Sequence, residues 1–284
     1  MNKYSSQIIE HVKSGELEYL QFKILNKYNV KHCITLRRGG VSKGDYESLN
    51  FRTLGNDDIK NVLKNLEIVK EELGINYVCK GKQDHTDNVI IIDNKNKDEF
   101  LFEKLNAQKV DGYVVKDKDI ATLITTADCN PIIIYDTKKN IVANVHAGWK
   151  GVLNRIYINA INIMKKEFLS DPKDLVVCIG PSIRKCCFTS KEEAFKEKFT
   201  SVFEYTDRYL FYEEDKETFH IDLIEILKTE LKKANVLNKN IYVADICTRC
   251  NTDDFYSYRA AVQSGKKDYA TMATIVQISE NNVK

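Results

Sequence analysis

The sequence predicts an α+β fold in which mixed β-sheets are covered by helices, and three observations carry that prediction. Apolar runs of strand length recur, rich in Ile and Val and mostly without strict alternation, as in strands covered on both faces. Segments with apolar residues at helical spacing lie between them. The two kinds of segment follow one another in irregular order, which points to α+β rather than a regular βαβ chain. The strand-like runs are Val89–Asp93, Gly112–Val115, Ala121–Thr125, Pro131–Tyr135, Ile141–Val145, Leu175–Ile179, Ile241–Ala244 and Met272–Ile278. Among the helical segments, Asp57–Leu73 carries a stripe of Ile59, Val62, Leu63, Leu66, Val69 and Leu73 and is closed by Gly74. Leu153–Phe168 repeats apolar residues along one face, and Lys191–Phe199 and Leu223–Ala234 complete the set.

At 284 residues, 43% of them hydrophobic, the chain is able to bury a large core. It has only three prolines and no Ser/Gly/Pro-rich linker, so it reads as a single domain over 1–284, with residues 1–30 the least defined part. Lysine and arginine number 43 against 41 acidic residues, a net charge of +2. That balance gives no broad one-signed field and argues against nucleic acid or an anionic membrane as the main partner. The N-terminus lacks the apolar run and small-residue cleavage site of an export signal, and no apolar stretch approaches the roughly 20 residues that span a bilayer. With eight irregularly placed cysteines, a reducing, cytoplasmic setting is expected, most of the thiols being buried as small hydrophobes.

Chemistry-bearing residues concentrate in two places. Thr126-Ala-Asp-Cys-Asn-Pro131 leads into one strand, and Asn144-Val-His-Ala-Gly-Trp-Lys-Gly151 leaves the next and opens the long helix. A strand–turn–strand hairpin brings Cys129 and His146, 17 residues apart, within contact range. Thiolate and imidazole are zinc's preferred donors. Of the five histidines, the four besides His146 are candidates for a third. His11 lies in a polar segment and reads as a solvated surface residue. His32 precedes a strand and reads as a core or turn histidine, and His220 precedes a helix and reads as its cap. His85 sits in a polar loop feeding a strand, where functional side chains gather. A His85/Cys129/His146 site leaves a fourth position open, the catalytic arrangement. Cys129 and His146 equally permit a cysteine nucleophile with a histidine base, Asp128 orienting the histidine.

Other features are weaker. Leu36-Arg-Arg-Gly-Gly-Val-Ser42 offers glycine amides and Arg37 or Arg38 to an anion, or is an ordinary turn. Trp149, the only tryptophan, stacks on a base, closes the pocket wall or anchors the core. Cys247-x-x-Cys250 is half of a metal or redox motif without a second CxxC to complete it. Cys186 and Cys187 read as structural. Phe255-Tyr-Ser-Tyr-Arg259 supplies aromatic faces and a cation for a pocket wall.

Together these segments resemble the laccase-domain family, proteins first called polyphenol oxidases and now regarded as purine nucleoside phosphorylases. The resemblance rests on Thr35-x-Arg37-x-Gly-Gly-Val-Ser42 with Ser48-Leu-Asn50, Gln83-x-His85, Ala127-Asp-Cys-x-Pro131 and His146-Ala-Gly-Trp-Lys-Gly151. It continues in Gly180-Pro-Ser-Ile183 and in Cys247-Thr with Phe255-x-Ser-Tyr-Arg259. It implies zinc on His85, Cys129 and His146, copper being the less favoured metal. It also implies phosphorolysis of adenosine, inosine and methylthioadenosine, with some adenosine deamination. Arg37 and Asp128 are then expected to serve catalysis, and Arg37, Asn50, Trp149 and Arg259 to bind substrate. The sequence departs from the family pattern at Asp84, Thr86 and Ala260. It departs again at Tyr269-Ala-Thr-Met-Ala273, where an expected arginine is missing and Lys266 or Lys267 is the nearest substitute. A cysteine-type amide hydrolase, a copper-dependent phenol oxidase and a metal-stabilised binding module are the alternatives.

Overall fold

In the computed structural model, which describes residues 2–279, two six-stranded sheets stack face to face. The first runs β1 (Ile9–Ser14), β2 (Leu17–Phe22), β3 (Val30–Thr35), β15 (Met272–Ile278), β7 (Ile120–Thr126), β4 (Tyr77–Cys79). The second runs β14 (Ile241–Val243), β10 (Leu175–Ile179), β8 (Asn130–Asp136), β9 (Ile141–Ala147), β6 (Gly112–Val115), β5 (Val89–Ile92). A small third sheet orders β11 (Thr189–Ser190), β13 (Thr218–Ile221) and β12 (Leu210–Glu213). Antiparallel pairs predominate, but β4–β7, β5–β6 and β10–β14 are parallel, so both large sheets are mixed.

The strands are apolar on both faces because both faces are covered. On β15, Met272, Val276 and Ile278 point between the sheets. Ala273 and Ile275 pack toward α1 (Ile59–Leu73) with Val62, Leu66 and Val69. On β8, Ile133 and Tyr135 face the first sheet, while Ile132 and Ile134 face the outer helices. Those helices are α3 (Ile156–Phe168), through Ile156, Tyr157, Ala160, Ile161 and Met164, and α6 (Leu223–Lys233), through Ile226, Leu227 and Leu231. The result is a helix–sheet–sheet–helix stack. Local sequence sets the ends of α1: the Asp58 carboxylate accepts from Lys60 N at 2.9 Å, and Gly74 closes the helix at φ +57°.

Three expectations need correcting, those for the long helix, His11 and His220. The long helix is two helices, α2 (Trp149–Leu153) and α3, separated by Asn154 and Arg155, the latter at φ +56°. The least defined part of the sequence adds a hairpin, β1–β2, to the edge of the first sheet through β3. His11 on that hairpin is buried rather than solvated, its Nε2 lying 2.8 Å from Glu18 Oε2. His32 lies inside β3, fully buried, and accepts a hydrogen bond from Phe22 N at 2.8 Å; burial brings its pKa down to about 4. His220 sits in β13 and bonds the Lys185 carbonyl and Glu213, while Asp222 is the residue that caps α6.

The β8–β9 hairpin decides where chemistry occurs. Asn130 pairs with Ala147 and Pro131 with His146, so Cys129, one residue before β8, lies at the same sheet end as His146. Next door, Gly112 on β6 pairs with Val145 on β9, which places Asp111 beside His146. His146 shares its face of β9 with Val142 and Asn144, so it points between the sheets.

Candidate metal centre

The nitrogens of His85 and His146 and the sulfur of Cys129 lie within 4.8 Å of one another. Cys129 Sγ is 3.7 Å from His85 Nε2, and the two imidazole rings stand edge to face at 4.9 Å. Each ligand is held by a different device. Cys129 follows Asp128, whose φ of +86° is rare for a residue with a side chain. Asp128 is fixed there by Thr248 Oγ1 (2.6 Å), Ser257 Oγ (2.8 Å) and Arg259 N (2.7 Å), all donating to its carboxylate. Burial raises the Asp128 pKa against the pull of those donors. His85 also has positive φ (+55°), and its loop is docked by Gln83, whose amide bonds Thr125 N, Thr125 Oγ1 and Thr125 O on β7.

Asp111 joins the two histidines. Its Oδ1 lies 2.8 Å from His146 Nδ1 and accepts from His85 N at 3.2 Å. Its Oδ2 accepts from Thr86 N and Thr86 Oγ1, both at 2.7 Å. With Nδ1 committed to the carboxylate, His146 presents Nε2 to an ion, the usual support of a metal-bound imidazole. Asp111 is fully buried, and the His146 contacts outweigh that burial to leave it at about 2. Burial alone would raise the Cys129 thiol. The His146 charge and hydrogen bonds from both imidazoles reverse this and favour the thiolate. Burial would likewise lower His146, but the Cys129 thiolate and Asp111 raise it. Gly148 completes the cradle: a Cβ there would sit 2.6 Å from His85 Cδ2 and 3.0 Å from Cys129 Sγ. Two imidazoles, one thiolate and a side-chain-free approach on one side suit a borderline-soft divalent ion such as zinc, with a position left for another ligand.

The three donors open onto a cavity of about 550 Å³. Aromatic groups line part of it: Trp149, Phe188, Phe195, Tyr258 and Tyr269. Trp149 meets Phe195 edge on at 5.3 Å and also packs on the core, so it closes the pocket wall and anchors the core at once. Arg52, Lys80, Lys150 and Arg259 bring four cationic side chains to the same wall. Arg259 is anchored by Nη1, which donates to the carbonyls of Cys187 (3.0 Å) and Thr189 (3.3 Å).

Of the residues singled out in the sequence, His85, Asp128, Cys129, His146, Trp149 and Arg259 meet at this cavity. Arg37 does not line it. Its guanidinium donates to the carbonyls of Glu47 and Thr252 and lies over the Tyr256 ring. Asn50 is fully buried beneath the wall, where its Oδ1 accepts from Arg52 N and Thr271 N. The Gly39–Gly40 turn packs directly on backbone: added Cβ atoms would come within 2.4 Å of Leu17 Cα and 2.5 Å of Leu49 Cα. Gly40 N is already bonded to Ser48 Oγ. Thr86, a departure from the family pattern, contributes its hydroxyl to Asp111, and Asp84 pairs with Lys109 at the surface.

Asp111, Lys80 and Arg52 escaped the sequence reading. The Asp111-Gly112 step at the start of a predicted strand was the available signal, since a metal-bound histidine needs an acceptor for its second nitrogen. Lys266 is spent on Asp45 at the surface. The cation beside Tyr269 is Arg52, 3.9 Å above its ring and 3.1 Å from Asp268.

Residues 31–278 match the family described as multi-copper polyphenol oxidoreductase laccase. A purine nucleoside phosphorylase of Bacteroides thetaiotaomicron is 30% identical over 258 residues, covering 87% of this chain and 93% of that one. An adenosine deaminase from an unidentified prokaryote is 28% identical over 256 residues, covering 88% and 96%. The crystal structure of YlmD from Geobacillus stearothermophilus superposes with a TM-score of 0.86 at 23% identity, over 97% of this chain and 100% of that one, and so shares the fold. With the motifs in order across almost its full length, this chain belongs to the multi-copper polyphenol oxidoreductase laccase family.

Proposed function

We propose that this protein is a zinc-dependent purine nucleoside phosphorylase acting on adenosine, inosine and methylthioadenosine, with adenosine deamination as a side activity. The observation that carries the reading is a three-donor metal centre with an open position, at a cavity that combines aromatic walls with four cations. About 550 Å³ is room for a nucleoside and a phosphate. The phosphorylase and deaminase relatives point the same way.

Zinc held by His85, Cys129 and His146 would supply a Lewis acid at the reacting centre. The chain's own side chains do the rest. Phosphate is drawn to Lys80, Arg52 and Arg259. Lys80 is the strongest candidate, because it is buried and, among the described residues, its ammonium donates one hydrogen bond, to the Gly81 carbonyl at 3.1 Å. An anion beside it offsets the cost of holding a cation out of water. The aromatic wall takes the purine face. Asp128, saturated by three donors, positions Cys129 and the Arg259 backbone rather than moving a proton. Arg37 and Asn50 support the wall from behind. We place the protein in the cytoplasm, where thiols stay reduced; all eight cysteines are free thiols, and no helix among the described residues is long and apolar enough to cross a membrane.

A cysteine-type amide hydrolase draws on the same Cys129–His146 charge pair. A nucleophilic thiol needs one imidazole, however, and here a second approaches the same sulfur at 3.7 Å. Incubation of purified protein with adenosine and phosphate should yield adenine and ribose 1-phosphate. Replacing Cys129 by alanine should abolish both that activity and zinc at this centre. Full turnover by zinc-free protein, or a Cys129 thiol that alkylates freely in chelator-resistant enzyme, would sink the reading. Copper at this centre with phenol oxidation would replace it by the oxidase.

A further inference from the structure

Four cysteines outside the centre described above converge at the protein surface. The sulfurs of Cys186, Cys187, Cys247 and Cys250 all lie within 4.8 Å of one another. Cys250 Sγ is 3.7 Å from Cys186 Sγ and 3.4 Å from Cys187 Sγ. These separations far exceed a disulfide bond of about 2.05 Å. They are close to the ~3.8 Å between corners of a tetrahedron whose centre is a zinc at about 2.3 Å from each sulfur. The chain's other structural thiols, Cys33, Cys79 and Cys178, are buried among apolar side chains.

The backbone is shaped for this convergence. Ser182 and Cys247 form a parallel bridge, with Thr248 N donating to Ser182 O at 3.1 Å. After it, a turn in which Cys187 N donates to Arg184 O brings Cys186 and Cys187 round. A second turn, closed by Asn251 Nδ2 on Cys247 O at 2.8 Å, folds Cys250 over Cys247. The N–H groups of Arg184 and Cys250 donate to the Cys247 sulfur. Arg249 and Arg259 border the same pocket and offset the negative charge of bound thiolates.

We propose that Cys186, Cys187, Cys247 and Cys250 are the four ligands of a second, structural zinc ion. Binding forms four Zn–S bonds and releases the thiol protons to water, with no change of oxidation state. The donor set is closed, so the ion has no position for a substrate. It fastens the loop around residues 182–188 to the segment 247–259. That segment supplies Thr248, Ser257 and Arg259 N to Asp128, so the ion braces the residue next to Cys129 without touching the cavity's chemistry.

The test uses full-length Cys129→Ala protein, purified under reducing conditions, in which the four thiols remain. It should retain one zinc per chain where the wild type carries two. After removal of zinc, cobalt(II) should give strong thiolate-to-cobalt charge-transfer and tetrahedral bands that one equivalent of zinc abolishes. Adding Cys186→Ser and Cys250→Ser should remove both the zinc and the bands. Should that variant fail to fold, the cobalt spectrum of the four-thiol protein still decides. A Cys129→Ala protein that purifies without zinc and gives no thiolate bands overturns the proposal, as does iron or copper on these sulfurs or a disulfide among them. One zinc in both wild type and Cys129→Ala would leave this site standing and refute the zinc reading of the other.

Discussion

The His85–Cys129–His146 centre and the four-cysteine cluster use overlapping chemistry in opposite ways. The first has three donors of mixed type at the floor of a 550 Å³ cavity, backed by a buried carboxylate. The second has four thiols near the surface between two turns, backed by backbone N–H groups. The difference is one of commitment. An open centre must hold its ligands rigid from behind, because the ion's remaining position faces substrate. A closed centre holds itself, because the metal's own bonds complete the fold around it.

That comparison can be broken in several places. The largest effect is expected at the open centre, where Cys129→Ala should lower phosphorolysis roughly a thousandfold or more, since a Lewis acid contributes several kcal/mol at the reacting centre. Asp111→Asn should come next. It keeps an acceptor for His146 but removes the charge, and zinc affinity measured by chelator competition should fall by about 10–100-fold. An unchanged affinity would show that the open centre needs no carboxylate behind it. Lys80→Met should raise KM for phosphate by about tenfold with kcat little altered, the loss of one charged hydrogen bond. Burial brings Lys80 down to about 8, so its charge is complete below that pH and lost above it. Phosphate affinity should therefore weaken as pH rises through about 8, and the Lys80→Met variant should lose that dependence.

Gly148→Ala tests the cradle. The new methyl meets His85 Cδ2, and His85 is exposed enough to yield, so zinc affinity should drop about tenfold while the fold persists. The smallest effect belongs to the closed centre, where Cys186→Ser should lower the thermal midpoint by a few degrees without changing KM for phosphate. A KM change there would mean the cluster reaches the cavity more directly than through Asp128.

The molecule also divides in how far its sequence foretold it. Gly112–Val115, Leu175–Ile179 and Met272–Ile278 are strands at their predicted bounds. The reason is local: continuous Ile/Val runs bounded by polar residues report burial on both faces, whatever the neighbour. The stripe and Gly74 stop of α1 are equally self-contained, although the helix begins at Ile59 rather than Asp57. By contrast, β1 and β2 are partly polar edge strands whose pairing with β3 is not encoded in their own pattern. The Arg155 break between α2 and α3 also went unread, because apolar spacing continues across it.

The metal centre shows the same boundary. Spacing alone placed Cys129 and His146 at neighbouring strand ends, and a polar loop feeding a strand singled out His85 among five histidines, a choice the motif resemblance repeated. Asp111, Arg52 and Lys80 were invisible, because Arg52 and Lys80 reach the cavity, and Asp111 the back of the metal centre, each from its own sheet edge or loop. Their relevance exists only once β6 lies beside β9 and the two sheets stack. The lone Cys247-x-x-Cys250 seemed incomplete because its partner pair lies some sixty residues earlier and joins it only through the Ser182–Cys247 bridge. By itself, then, the sequence determined which segments become strands and helices, and which residues carry reactive chemistry. Which of those residues meet was decided by strand register and sheet stacking, since contacts between distant segments depend on the packing of the whole chain.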